Sequence, residues 1–211
     1  LVPPIAIDGA SAHWLDKQTI AFNPGMVPTV KLYYSLEADI KTNAVDKVID
    51  GGQEVNLVRS QLSNDLKARF PHLAEVKAWS LPADLDTKQL LKAQLIVATF
   101  NPDGSLESAT QVQTAGVLDD LYADAAENVN LGAVTEAGQT AYRLWAPTAT
   151  DVKLKLYSDV GKKAKKRDMD FNAETGTWHY QSKGDDRGIF YRYEVTVYHP
   201  DTGQIENHDV T

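Results

Sequence analysis

Five histidines, His13, His72, His179, His199 and His208, are the side chains in this sequence best suited to hold a metal ion or move a proton, and the chain has no cysteine to join them. Metal-binding histidines on a helix recur at i and i+4 so that both point from one face. No two of these five stand three or four residues apart, so each is expected at the surface or in a turn. The lack of cysteine also removes thiol nucleophiles, thiolate zinc sites and disulfides. An activated serine needs a G-x-S-x-G elbow, and a phosphate loop needs G-x-G-x-x-G or a Walker lysine; the sequence has none of them. Asp119, Asp120, Asp124 and Glu127 carry enough oxygen for calcium but lack the alternating ligands and the glycine of a calcium loop, which leaves a solvated helix face. Glycoside hydrolysis needs two carboxyl groups held across a cleft. Among 29 acidic residues no such pair is singled out.

Two further features bear on binding. Lys162, Lys163, Lys165, Lys166 and Arg167 form a basic run without interleaved aromatics, which reads as a solvated loop rather than an anion site. The four tryptophans, Trp14, Trp79, Trp145 and Trp178, matter because sugars stack on exposed aromatic faces. In a β-sandwich such rings serve first as core. Trp178, just after Gly176 at the start of a strand, is the tryptophan least committed to the core, and Tyr198 lies on the polar face of its strand. These two are the candidate carbohydrate-binding residues; the sequence offers no catalytic residue and no metal ligand.

The whole chain sets limits on these readings. Its 211 residues, 43% hydrophobic, suffice for one large or two small cores. A net charge of −8 argues against a nucleic-acid partner, which would need a basic face. No apolar run approaches 18 residues, so no transmembrane helix is expected. The start, "LVPPIAIDGA", and the close, "GQIENHDVT", read as cut ends of a longer polypeptide.

The elements that would position these residues are strands. Thr19–Phe22, Thr29–Ser35, Glu54–Ser60, Glu75–Leu81, "QLIVATF" at 94–100 and a weaker strand over 105–118 are expected to form one β-rich unit. Short helices are expected after Ser63 and after Asp84 or Asp86. An acidic helical stretch and a glycine-containing loop then lead to a boundary placed at residues 123/124. Beyond it, Tyr142 and Leu144 alternate with polar neighbours, as do Val152, Leu154 and Leu156, and "APTAT" at 146–150 separates the two runs. This predicts a β-hairpin at a sandwich edge, with Trp145 anchoring its turn. Strands at Lys166–Phe171 and Thr177–Gln181 follow, then Tyr191–Val197 with one face Tyr191, Tyr193, Val195 and Val197, and a returning strand from Gln204. The expectation is a mainly β fold: two immunoglobulin-like β-sandwich domains in tandem, 1–123 and 124–211, the first with short helical insertions.

At this point the sequence resembles a family. "LGAVTEAGQTAYRLWAPTATDVKLKLYSD", "GTWHYQSKGDDRGIFYRYEVTVY" and "TGQIENHDVT" are similar to the N-terminal sandwich of starch- and glycogen-debranching enzymes of the α-amylase superfamily, itself akin to glycogen-binding domains (carbohydrate-binding module family 48). "DGASAHWLDKQTIAFN", "VKLYYSLEA" and "LPADLDTKQLLKAQLIVATFNPDGSLESATQVQTAGVLDDLY" resemble the second N-terminal domain of bacterial type I pullulanases, those of enterobacterial, Klebsiella-like kind in particular. The resemblance implies a secreted or surface-attached parent enzyme hydrolysing α-1,6 branch linkages in pullulan, amylopectin, glycogen and limit dextrins. It implies that this segment packs on the parent's catalytic barrel, and that any calcium belongs to the parent. Glycogen-binding relatives carry stacking tryptophans after the second strand and in the final hairpin. Here those places read Ser158-Asp159-Val160-Gly161 and Thr202-Gly203-Gln204-Ile205. The alternative to a scaffold role is an autonomous α-glucan-binding module using Trp178 or Tyr198.

Overall fold

The computed structural model describes residues 6–26, 29–159 and 161–211. The chain divides into two compact units, the first ending at Leu121 and the second beginning at Tyr122. Both are built of strands, and each is a sandwich with its own apolar core.

The first unit runs β1 (Ala12–Asp16), β2 (Thr19–Ala21), β3 (Thr29–Ser35), β4 (Lys41–Asn43), β5 (Val48–Asp50), β6 (Gln53–Asn56), β7 (Val58–Ser60), α1 (Asn64–Arg69), a 3₁₀ turn (Pro71–Leu73), β8 (Ala78–Ser80), α2 (Thr87–Leu90), β9 (Gln94–Phe100) and β10 (Leu106–Gln113). Eight of these strands form one sheet in the order β6-β3-β9-β10-β1-β2-β8-β7. Its two halves share a core in which Val30, Leu32, Leu95 and Val97 from one side meet Trp14, Ile20 and Trp79 from the other. The outer faces are covered too. The β4–β5 hairpin supplies Ile49, and Ile40 joins it over Tyr33, Ile96, Ala98 and Phe100. Leu66 of α1 and Leu73 cover Leu15, Ala21 and Ala78. This double coverage explains "QLIVATF": all seven residues are buried, so the polar alternation of a half-solvated strand disappears. Gln94 is admitted because its amide makes both hydrogen bonds to the Ile40 backbone, accepting at 2.9 Å and donating at 3.2 Å.

Several expectations are corrected here. The strand expected over Glu54–Ser60 is two strands, β6 on β3 and β7 on β8, at opposite ends of the sheet order. The pivot is Leu57, buried between them with its N–H on Val30 O at 3.1 Å. The strand expected to 118 stops at Gln113, and helix α3 (Ala115–Ala126) follows. Trp14 lies on a strand, Ala12–Asp16, ahead of the first one expected, and is fully buried. The two short helices have the expected caps: Ser63 accepts from Leu66 N and Asp86 from Gln89 N.

The second unit contains β11 (Gly132–Glu136), β12 (Gln139–Trp145), β13 (Ala149–Tyr157), β14 (Lys165–Asp168), β15 (Asp170–Asn172), β16 (Thr177–Gln181), β17 (Phe190–His199) and β18 (Gln204–Val210). They form two four-stranded sheets, β11-β12-β16-β15 and β14-β13-β17-β18. The expected hairpin at 141–159 is therefore an arch: β12 pairs with β16 in one sheet and β13 with β17 in the other. Pro147 falls where the chain crosses between sheets, a place that needs no ladder N–H. Lys166–Phe171 behaves likewise, splitting into β14 and β15 around Met169, which is buried and donates its N–H to Val152 O. The expected glycine-containing loop holds a further hairpin, β11–β12, closed by Ala137 and Gly138, both at positive φ as a tight two-residue turn requires.

Candidate functional site

The core of the second unit fixes which of its rings can meet a ligand. Tyr142, Val152, Leu154, Met169, Trp178, Tyr193 and Val195 close it from both sheets. Tyr191 stands edge-on to Tyr142 and to Tyr193, with centroids 5.2 and 5.5 Å apart. The Tyr142 hydroxyl donates to Asp186 at 3.1 Å, and burial, with that carboxylate beside it, pushes the phenol well above its usual range.

Trp178 belongs to this core. It is 6% exposed, packs against Phe171 at 5.0 Å between centroids, and donates its indole N–H to Ala146 O at 3.0 Å. That places it beneath the β12–β13 arch, with no open face to offer a sugar. The anchoring role expected of Trp145 thus falls to Trp178, while Trp145 sits on the outer face of its sheet, 38% exposed. Tyr198 is half-buried on β17, paired with Ile205 of β18. The two candidate rings lie on different sheets and are not brought together.

What the fold does assemble is a cleft at the other end of β17. It has a volume of about 730 Å³ and is lined by Tyr157, Asp159, Gly161, Lys162, Ile189, Phe190, Tyr191, Arg192 and Thr211. Phe190 pairs with Tyr157 across the two central strands and is 55% exposed. An exposed ring flanked by a tyrosine, an arginine, a lysine and a carboxylate can stack on an apolar sugar face and hydrogen-bond its hydroxyls. Tyr198, eight residues along the strand, is about 26 Å away at the usual rise per residue. Asp159 and Gly161 come from the segment where the sequence comparison expects a stacking tryptophan; Val160 lies outside the described residues. Phe190 was missed because the reading followed the inward face of its strand, Tyr191, Tyr193 and Val195, and passed over the outward face on which Phe190 stands with Arg192 and Glu194.

The charged residues are mostly absorbed by the scaffold. On the outer face of the β13–β17 sheet, Lys155 bonds Glu194 at 2.7 Å and Asp209 at 2.6 Å, and Lys166 bonds Glu194 at 2.8 Å. These two ammonium groups hold the Glu194 carboxyl down to about 2. Lys166 of the basic run is thus a cross-strand partner, and Lys162 reaches the cleft. In the first unit Asp120 accepts from Lys17 N at 3.2 Å and stands 3.7 Å from Arg69, a docking role for α3. Two pairs of histidines meet in space despite their sequence spacing: His13 with His72 and His199 with His208, at 6.5 and 5.6 Å between ring centroids. Burial, and then the neighbouring His72, lower the pKa of His13.

Comparison with known proteins agrees with this architecture. Residues 9–120 match the family model of the pullulanase N2 domain, and residues 130–210 that of carbohydrate-binding module 48, the isoamylase N-terminal domain. A pullulanase of Klebsiella pneumoniae is 39% identical over 96% of this chain and 18% of its own length. One of Klebsiella aerogenes is 33% identical over 96% and 18%. The crystal structure of a Klebsiella pneumoniae pullulanase complexed with maltotriose superposes with a TM-score of 0.90 at 38% identity, over 97% of this chain and 19% of that one. The chain thus spans about a fifth of the length of the relatives it matches. It is homologous to the N-terminal region of the Klebsiella enzymes. With the N2 model covering more than half of its residues, the chain belongs to the pullulanase N2-domain family and carries a family 48 carbohydrate-binding module behind that domain.

Proposed function

We propose that this chain forms the non-catalytic N-terminal domains of a pullulanase that cleaves α-1,6 branch linkages in pullulan, amylopectin, glycogen and limit dextrins, and that it supports the catalytic α-amylase-type barrel of the same polypeptide. The observation that carries the reading is the tandem itself: both domain models match in order over nearly the whole chain, and a pullulanase crystal structure follows it at a TM-score of 0.90. On this reading the parent acts outside the cell, secreted or attached to the surface, and any calcium is held by the parent's other domains. Incubation with pullulan tests it. The parent releases reducing sugar and the purified 211-residue chain does not; release by the chain alone contradicts the proposal.

A second reading is favoured by the cleft. Phe190, Tyr157 and Arg192 give this module an α-glucan surface in place of the missing tryptophan platforms. Affinity electrophoresis in gels containing pullulan, with dextran as control, separates the two. Specific retardation supports a working sugar site; equal migration of the folded chain in both gels leaves support of the barrel as its role.

A further inference from the structure

The second unit carries two cations that its scaffold does not absorb. On the outward face of the β14-β13-β17-β18 sheet, Lys166, Lys155 and Arg192 stand in one row across three neighbouring strands, Lys166 opposite Lys155 and Lys155 opposite Arg192. Like charges directly opposite on a sheet repel. Carboxylates relieve the first two: Glu194 binds Lys155 and Lys166, and Asp209 binds Lys155. Arg192, at the end of the row, is exposed and in no ion pair with any described residue.

Arg192 lines the cleft, and Lys162 of the basic run lines it too, exposed and likewise outside every ion pair among the described residues. Against these two cations the lining side chains set one carboxylate, Asp159, on a chain whose net charge is −8. The terminal carboxylate of Thr211 borders the cleft without pairing to either cation. Beside the cation row the next pair along the same two strands is aromatic, Phe190 opposite Tyr157. A neutral glucan would lay its apolar face on the Phe190 ring but would give Arg192 and Lys162 only hydroxyls. A phosphate ester on the sugar answers both features: the ring stacks, the planar guanidinium donates two parallel bonds to phosphate oxygens, and the ammonium group adds a point charge.

Resting on the reading of this cleft as an α-glucan surface, we infer that its preferred ligand is an α-glucan bearing phosphate monoesters, with a phosphorylated glucose ring on Phe190 and its phosphate between Arg192 and Lys162. Of the basic run, Lys162 then acquires a ligand, whereas Lys166 remains a cross-strand partner of Glu194.

Affinity electrophoresis in gels of amylopectin carrying phosphate monoesters, beside gels of the same polymer after enzymatic dephosphorylation, tests the inference. The chain is run with a short Gly-Ser extension that carries its terminal carboxylate away from the cleft. The expected result is an apparent Kd about three- to fivefold lower in the phosphorylated polymer, the size of a screened surface ion pair. That preference should vanish in Lys162→Gln and in Arg192→Gln, both folded by circular dichroism, and persist in Lys67→Gln, which removes a cation from the first unit. Equal retardation in both polymers overturns the inference while the α-glucan reading stands; no retardation in either overturns both. A preference that survives both cleft substitutions, or that Lys67→Gln also removes, is a general charge effect and overturns the inference. Loss of the preference to inorganic phosphate at a concentration matching the polymer's esters would reveal a site for the free anion and overturn it as well.

Discussion

The indole N–H of Trp178 donates to the carbonyl of Ala146 at 3.0 Å, tying β16 to the arch that carries the chain from one sheet of the second unit to the other. Ala146 N in turn donates to Gly176 O at 3.2 Å, so the arch is held from two positions of one neighbouring segment. A ring in this position acts on stability and touches no ligand. Trp178→Ala is expected to cost about 3–5 kcal/mol in unfolding of the second unit, the range for emptying a large aromatic from a core. Trp178→Phe should lose less, keeping most of the volume but not the hydrogen bond. Urea unfolding measures both, and a Trp178→Ala chain with an unchanged midpoint would refute this placement.

Gly176 supports the same corner. Its φ is +71°, and a Cβ there would lie 2.9 Å from Pro147 Cβ and 3.1 Å from the Tyr122 ring. Gly176→Ala therefore combines backbone strain with a steric clash, and a loss on the order of 1–3 kcal/mol is expected in the same unfolding assay.

Phe190 gives the opposite kind of prediction. It is exposed and makes no core contribution, so Phe190→Ala should leave the unfolding midpoint within about 0.5 kcal/mol of the parent's. If the cleft binds α-glucans, the same change should abolish retardation in pullulan gels, because a central aromatic carries much of such affinity. Retardation that survives Phe190→Ala would place the sugar elsewhere.

Acid should act through Glu194. Its folded pKa, about 2, lies below the unfolded value of 4.5 because Lys155 and Lys166 favour the carboxylate. The unfolded chain thus binds this proton first as pH falls. The stabilisation is complete above 4.5 and is lost between 4.5 and about 2. Melting temperature followed across that window should fall less steeply in Glu194→Gln than in the parent sequence.

His13 sets a milder dependence in the first unit. Its folded pKa lies below 6.5 through burial and the His72 neighbour, so the folded state favours the neutral ring. Stability is full above 6.5 and is lost as pH drops from there through the lowered folded value. His72→Gln removes the repulsive neighbour and should flatten that slope, as read from thermal melts of the first unit.

Much of the fold was legible because period-2 alternation survives wherever one face meets solvent. Thr29–Ser35 stands as read on that pattern, Gln94–Phe100 stands as read on its unbroken apolar run, and Ser63 and Asp86 cap as their side chains predict. Alternation cannot say which sheet a strand joins. The 141–159 segment has the pattern of a hairpin, yet β12 and β13 pair in different sheets. Leu57 and Met169 are apolar residues in otherwise continuous runs, and only long-range pairing shows them to be crossing points. The candidate site was less legible for a related reason. Trp178 and Phe190 both sit at strand starts, but Trp178 points into the core between the sheets, whereas Phe190 lies on the outward face of its strand with Arg192 and Glu194. The histidine pairs are hidden because rings 59 and 9 positions apart meet only through sheet and hairpin geometry.

The central claim, that these domains serve a catalytic barrel in the same polypeptide, is tested most directly by deleting them from the parent enzyme. Pullulan hydrolysis and thermal inactivation would be measured side by side for the intact and truncated proteins. The account predicts that the truncated enzyme inactivates at a lower temperature and hydrolyses pullulan with a reduced kcat/KM. A truncated enzyme that matches the intact one in both would contradict it.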